Sequence, residues 1–186
     1  MAILKRTWLR VSTTAVLALC LAASARVNGE QRTPTAEDDI KAAFLFNFTR
    51  FIDWPVPPVD AFRICTLAEP GFNAALDRTL VDETVHGLPI LRFGPPTIDA
   101  ARACQILFVG RLENGRAERW IAALRGTPVL IVGESRGAWS GGAHLNFIVD
   151  DNRVQFDVNV DAAKRDGLSI SSKLLRVARN TTLRMP

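Results

Sequence analysis

The run Gly133-Glu134-Ser135-Arg136-Gly137 has the G-x-S-x-G spacing of a hydrolase nucleophile elbow, and it follows the apolar run Pro128–Val132, which reads as the strand an elbow needs. Ser135 would be the nucleophile. That chemistry requires a helix behind the serine, then an acid and a histidine in that chain order. Here Ala138-Trp139-Ser140-Gly141-Gly142 reads as a turn, and the one downstream histidine, His144, precedes Asp150. The order is wrong for the elbow triad. The glycines are better explained by a tight turn, so a small exported hydrolase using Ser135 is kept only as an alternative.

The remaining reactive side chains assemble no second site. His86 stands alone beside Gly87, and His144 begins a strand with no cysteine or acid at ligand spacing, so both read as structural or surface residues. Asp150-Asp151 resembles a carboxylate pair, but neighbours at a strand end point apart and mark a hairpin turn. Gly141-Gly142 lacks the lysine and helix of a phosphate loop and reads as a bend. Asn47 lies three residues after Phe44 and four before Phe51, which places it on an apolar helix face where its amide needs a partner. With Asn146 and Asn159 it is a candidate polar anchor of the core. The reading is no catalytic set, no cofactor and no metal.

The ends of the chain set the compartment. Lys5, Arg6 and Arg10 precede an apolar stretch, Val11 to Ala22, that is short for a bilayer span, and Ala23-Ser24-Ala25 offers a cleavage site, so residues 1–25 read as a signal peptide. Cys20, preceded by Leu19, does not fit a lipidation box. Three of the 23 basic side chains fall in this leader, leaving 20 against 19 acidic ones. The exported chain is nearly neutral, which removes charge as an argument for binding nucleic acid or an anionic membrane. After cleavage Cys65 and Cys104 remain as an even pair in an oxidising compartment and read as a disulfide across a loop of about 40 residues, with two buried thiols as the alternative. Two such cysteines and two histidines make a closed zinc site improbable.

Residues 26–34 read as a polar lead-in and 35–186 as one domain of a size to carry its own core. Thr35 and Asp38 form a helix-capping signature. The stripe Ile40, Phe44, Phe48, Phe51 then predicts a helix running to Trp54, stopped by Pro55, Pro57 and Pro58. Strands are predicted over 62–68, 88–93, 104–110 and 128–132, with helices after the first and third. Leu145–Val149 and Val154–Val158 flank the polar Asp150-Asp151-Asn152-Arg153 as a hairpin whose second arm lies near a sheet edge. A helical pattern closes the chain at Leu168–Ala178. The alternation predicts an α/β three-layer sandwich, mainly parallel, with an antiparallel hairpin near one edge.

The helix Lys41–Pro55, the strand ending at Cys65, Cys104-Gln-Ile-Leu-Phe108, Gly141–Phe147, Val154–Asn159 and Ile170–Leu175 occur in an order and spacing that resembles the YfiR family of exported regulators. The resemblance covers nearly the whole exported chain. It implies a periplasmic repressor that binds the periplasmic part of a membrane diguanylate cyclase and lowers cyclic di-GMP, and that an outer-membrane lipoprotein can sequester; a homodimer stays open. Cys65 and Cys104 match the family's widely spaced disulfide pair, whereas the closely spaced second pair of the family prototype is missing around Gly133 to Trp139. Trp54 and Trp139, large aromatics in turn-like surroundings, are the candidate partner contacts. The rival reading is a periplasmic small-ligand binder with a crevice at the carboxyl ends of the parallel strands.

Overall fold

The computed structural model describes residues 34–111 and 115–182. The leader read at 1–25 and all but the last residue of the lead-in lie outside them. In chain order the elements are α1 Ala36–Phe48, β1 Ile52–Asp53, β2 Phe62–Leu67, α2 Pro70–Thr79, β3 Thr84–Val85, β4 Leu88–Phe93, α3 Ile98–Ala101, β5 Ile106–Val109, α4 Arg116–Ala123, β6 Leu130–Gly133, α5 Arg136–Gly141, β7 Leu145–Asp150, β8 Arg153–Asn159, α6 Val160–Arg165, β9 Ser169–Ile170, α7 Ser172–Val177 and β10 Asn180–Thr182.

Period-two alternation sorts the central strands onto two faces. Phe62, Ile64, Ile106, Phe108, Leu130, Val132, Leu145 and Phe147 point into a core shared with α1, α2, α6 and α7. Cys65, Leu67, Leu107, Val109, Val129 and Ile131 point the other way, toward α3, α4 and α5. Helices on both faces account for the unbroken apolar runs of β5 and β6. The sheet order is β10-β8-β7-β6-β5-β2-β4-β3. The pairs β2–β4, β2–β5, β5–β6, β6–β7 and β8–β10 are parallel, while β7–β8 and β3–β4 are antiparallel. This is the three-layer sandwich expected, with two refinements. The hairpin turn is the pair Asp151-Asn152, both at positive φ, while Asp150 ends β7 opposite Arg153, so the two carboxylates mark the hairpin's tip. The edge beside the hairpin is taken by β10, which Arg179 fastens through two hydrogen bonds to Asp157 of 2.9 and 2.7 Å.

Helix α1 departs from expectation in length and in face. The Thr35 hydroxyl accepts from the Asp38 N–H and the Asp38 carboxylate accepts from the Thr35 N–H, so the capping box forms as read. The helix ends at Phe48 and does not reach Trp54. Thr49, Arg50 and Phe51 donate to carbonyls three residues back, at 3.0 to 3.1 Å, and the Thr49 hydroxyl bonds the Phe46 carbonyl. These tighter turns unwind the helix and release Ile52-Asp53 to pair with β9. The buried arc is Lys41, Ala42, Leu45, Phe46 and Phe48, turned roughly a third of the way round the axis from the aromatic stripe. Ile40 is 43% exposed. Phe44 still packs edge-on to Phe156, but Asn47 lies on the solvent side and is not a core anchor. Asn47→Ala is therefore expected to change stability by less than about 0.5 kcal/mol, whereas a core amide would cost several times more. A urea melt distinguishes the two.

Candidate functional site

The exit from α1 builds an apolar face. Phe51 accepts from the Ser171 N–H at 2.9 Å and Ile52 pairs with Ile170, so the segment leading to Trp54 is extended and tied to the far end of the chain. Trp54 packs its ring edge-on to Phe62, centroids 5.1 Å apart. Its indole N–H donates to the Gln105 carbonyl at 3.1 Å. Gln105 is itself fixed, because its side-chain oxygen accepts from the Arg63 N–H and its own N–H donates to the Arg63 carbonyl. The half-buried indole is thus oriented before anything binds it.

The following loop, Pro55-Val56-Pro57-Pro58-Val59, leaves Val56 73% and Val59 89% exposed. Three prolines hold their own φ, so little conformational freedom remains to be lost when the valines are covered. Behind them a hollow of about 220 Å³ is lined by Trp54, Pro57, Pro58, Phe62 and His86 among others. An ordered aromatic beside exposed aliphatic groups and a shallow hollow suits contact with a protein surface. It offers no nucleophile with a base.

The other candidate residues are dispersed. Trp139 lies half-buried on α5, whose Ala138 joins the second core face, while Trp54 packs on the first. The two tryptophans therefore belong to different layers. Ser135 is the N-cap of α5, its hydroxyl accepting from the Ala138 N–H at 3.0 Å. This corrects the turn expected over 138–142: a six-residue helix does follow the serine, and Gly142 ends it at φ 101°. The serine backbone is nonetheless extended (φ −135°, ψ 159°), and His144 is committed elsewhere. Asn159 caps α6 through the Ala162 N–H at 2.9 Å. Asn146 is buried, its amide donating to the Phe147 carbonyl at 3.3 Å, while its oxygen has no partner among the described residues. Cys65 and Cys104 are joined as a disulfide.

Two buried polar clusters escaped sequence reasoning. His144 is fully buried; its Nδ1 accepts from the Ile131 N–H at 2.8 Å and its Nε2 lies 2.9 Å from Asp166 Oδ2. Burial alone would raise the Asp166 carboxyl, but hydrogen bonds from His144, Arg165 and the Gly126 N–H outweigh it and hold the group well below the usual carboxylate range. The second cluster centres on Lys41, 2% exposed, which pairs with Glu37 one helical turn back and with Glu134 at 2.5 Å. A lysine within an apolar helical pattern is read as surface, because its long stem buries easily and only the fold supplies the carboxylate. No cluster of three or more histidine, cysteine, aspartate or glutamate side chains placed to hold a metal occurs among the described residues. Among them, too, no helix is long and apolar enough to cross a membrane.

Comparison with known proteins gives two findings. The family profile described as YfiR/HmsC-like matches residues 38–179. The crystal structure of a conserved domain protein from Vibrio cholerae O1 biovar eltor superposes with a TM-score of 0.53 at 12% identity, over 78% of this chain and 60% of that one. At that identity the likeness is one of fold, and this chain spans less than two thirds of the Vibrio protein.

Proposed function

Because the chain belongs to the YfiR/HmsC-like family, we propose that it is a periplasmic regulator that holds the sensor part of a membrane diguanylate cyclase in its inactive state and so lowers cyclic di-GMP. The observation that carries this reading is the family match, which runs from the first turn of α1 to Arg179, next to β10. The physical mechanism is linkage. A protein that binds only the inactive sensor shifts the cyclase equilibrium by its difference in affinity for the two states, and needs no chemistry of its own. The Trp54 face supplies the kind of surface such binding uses. Engagement of the same face by a second protein, an outer-membrane lipoprotein for instance, would release the cyclase by competition.

The test has a genetic and a physical arm. Deleting this protein is expected to raise cyclic di-GMP and biofilm, and to do so only in cells whose partner cyclase is intact. Val59 protrudes 89% into solvent, so Val59→Asp leaves the core untouched. It should weaken capture of the cyclase's periplasmic part at least about tenfold, at an unchanged melting temperature. Cyclic di-GMP that stays level in the deletion strain would refute the regulator reading. Full binding by Val59→Asp would move the contact away from the Trp54 face.

A further inference from the structure

The two-stranded ribbon of β1 and β9 runs between two hollows. The first, of about 220 Å³, takes Ile52, Asp53 and Trp54 from β1 and its exit. The second, of about 290 Å³, takes Ser169 and Ile170 from β9 and rests on the buried Val160, Ala163 and Leu168. Ile52 pairs with Ile170 and Asp53 with Ser169, so the strands that border the two hollows are immediate neighbours. The turn before β9 also meets the proline loop: Gly167 sits at φ 81°, and a Cβ there would lie 3.6 Å from Pro55 Cγ. The surface around Trp54 therefore continues across the ribbon to α6.

Charge on this surface is separated by position. Asp53, exposed, is the one carboxylate lining the first hollow, and Lys164, also exposed, is the one charged side chain lining the second. Among the described residues no ion pair engages either of them, whereas the charges on the flanking segments are matched, Asp60 by Arg63 and Arg165 by the buried Asp166. Asp161, one turn before Lys164 on α6, is half-buried and lies outside the hollow. The surface thus has a negative end at Asp53 and a positive end at Lys164, with apolar ground between them.

We propose that the periplasmic part of the cyclase covers both hollows at once, setting an acidic side chain against Lys164 and a basic one against Asp53. This rests on the cyclase reading and adds to it the extent and the polarity of the contact. A stable interface occupies about 800 Å² of each partner, a patch roughly 28 Å across, whereas paired strands are only about 4.8 Å apart. A partner that covers Trp54 therefore reaches the second hollow as well. Covering Asp53 and Lys164 without opposite charges would strip their water with no compensation, so a partner that fits supplies both. Opposite charges at the two ends also fix its orientation, because a half-turn would set like charges together.

The test is binding of the purified periplasmic part of the cyclase that the deletion experiment identifies, measured at about 50 and about 500 mM salt. Lys164→Glu and Asp53→Lys should each weaken binding at least about tenfold at low salt and less at high salt. Ser169 is exposed in β9, and Ser169→Trp, which plugs the second hollow, should weaken binding at least about tenfold at both salts. All three positions are on the surface, so melting temperatures should stay at the parent value. Arg119 is exposed on α4, in the other helical layer, and Arg119→Glu should bind as the parent does. Parent-like binding by any of the three ribbon variants, with Val59→Asp still deficient, would overturn the two-hollow contact and leave the cyclase reading standing. An equal loss on Arg119→Glu would overturn it too. Absence of binding by the parent at either salt would overturn the cyclase reading and this inference together.

Discussion

Replacing Cys65 and Cys104 together by alanine is expected to lower the free energy of unfolding by about 4 kcal/mol. The bond closes a loop with a sequence separation of 39. In the chain-entropy account, the cross-link withholds that loop's freedom from the unfolded chain. Cys65 lies within β2 and is fully buried; Cys104, 3% exposed, ends the turn before β5. The bond thus ties together two parallel neighbours whose pairing otherwise depends on a long crossover through α2, β3, β4 and α3. Domains are stable by only about 5–15 kcal/mol, so the bond would supply a large share. The melting temperature should fall by roughly 8–16 °C, at about 2–4 °C per kcal/mol for a chain of this size. Urea melts of parent and double variant provide the check. Equal midpoints would mean that the unfolded chain is already compact around this pair and gains nothing from the cross-link.

The same pair shows what a sequence makes legible. Strands β5 and β6 are legible as unbroken apolar runs, because a strand covered by helices on both faces must be apolar throughout; β2, β4, β7 and β8 fall within or beside runs marked by their bounding turns or, in β8, by alternation. The two- and three-residue strands β1, β3, β9 and β10 carry no such pattern; their pairings come from the fold. Helix α5 was missed for another reason. Its sequence Arg-Gly-Ala-Trp-Ser-Gly has poor intrinsic helix propensity. The glycines let α5 pack close to α4: a Cβ on Gly141 would lie 3.3 Å from the Glu118 backbone, and one on Gly137 would meet the movable Glu118 carboxylate. On α1 the phenylalanines of the stripe do meet the core, Phe48 buried and Phe44 and Phe51 partly so, but the buried face extends past them to Ala42, Leu45 and Lys41, and a lysine gives no sign of being buried. Trp54 was singled out as the end of a helix and proves to be part of an extended segment, so the residue was legible while its support was not.

His144 and Asp166 were beyond any periodic reading, being 22 residues apart, and their removal carries the second large effect. Asp166→Ala is expected to cost about 3–5 kcal/mol, the range for breaking a buried charged network and stranding its partners. Several connections meet at these two residues. The His144 ring joins the start of β7 to β6 through the Ile131 N–H, and its Nε2 proton bonds Asp166 just after α6. The His144 carbonyl accepts from the Asn159 N–H at 2.7 Å, and Asp166 accepts from the Gly126 N–H ahead of β6 at 2.9 Å. The network therefore aligns β6, β7 and the β8–α6 corner. Since His144 Nδ1 accepts, the ring proton resides on Nε2 and points at the carboxylate, so the aspartate must be ionised to receive it together with Arg165. A carboxyl whose pKa is lower in the folded state than its ordinary value near 3.9 stabilises the fold fully above that value and progressively less as acid protonates it. The gap in stability between parent and Asp166→Asn should accordingly be level from pH 7 to about pH 5 and narrow below about pH 4. Urea melts across that range would show it. A gap still undiminished at about pH 3 would mean that the amide loses shape and hydrogen bonding alone, and that the charge on Asp166 contributes nothing to holding the corner.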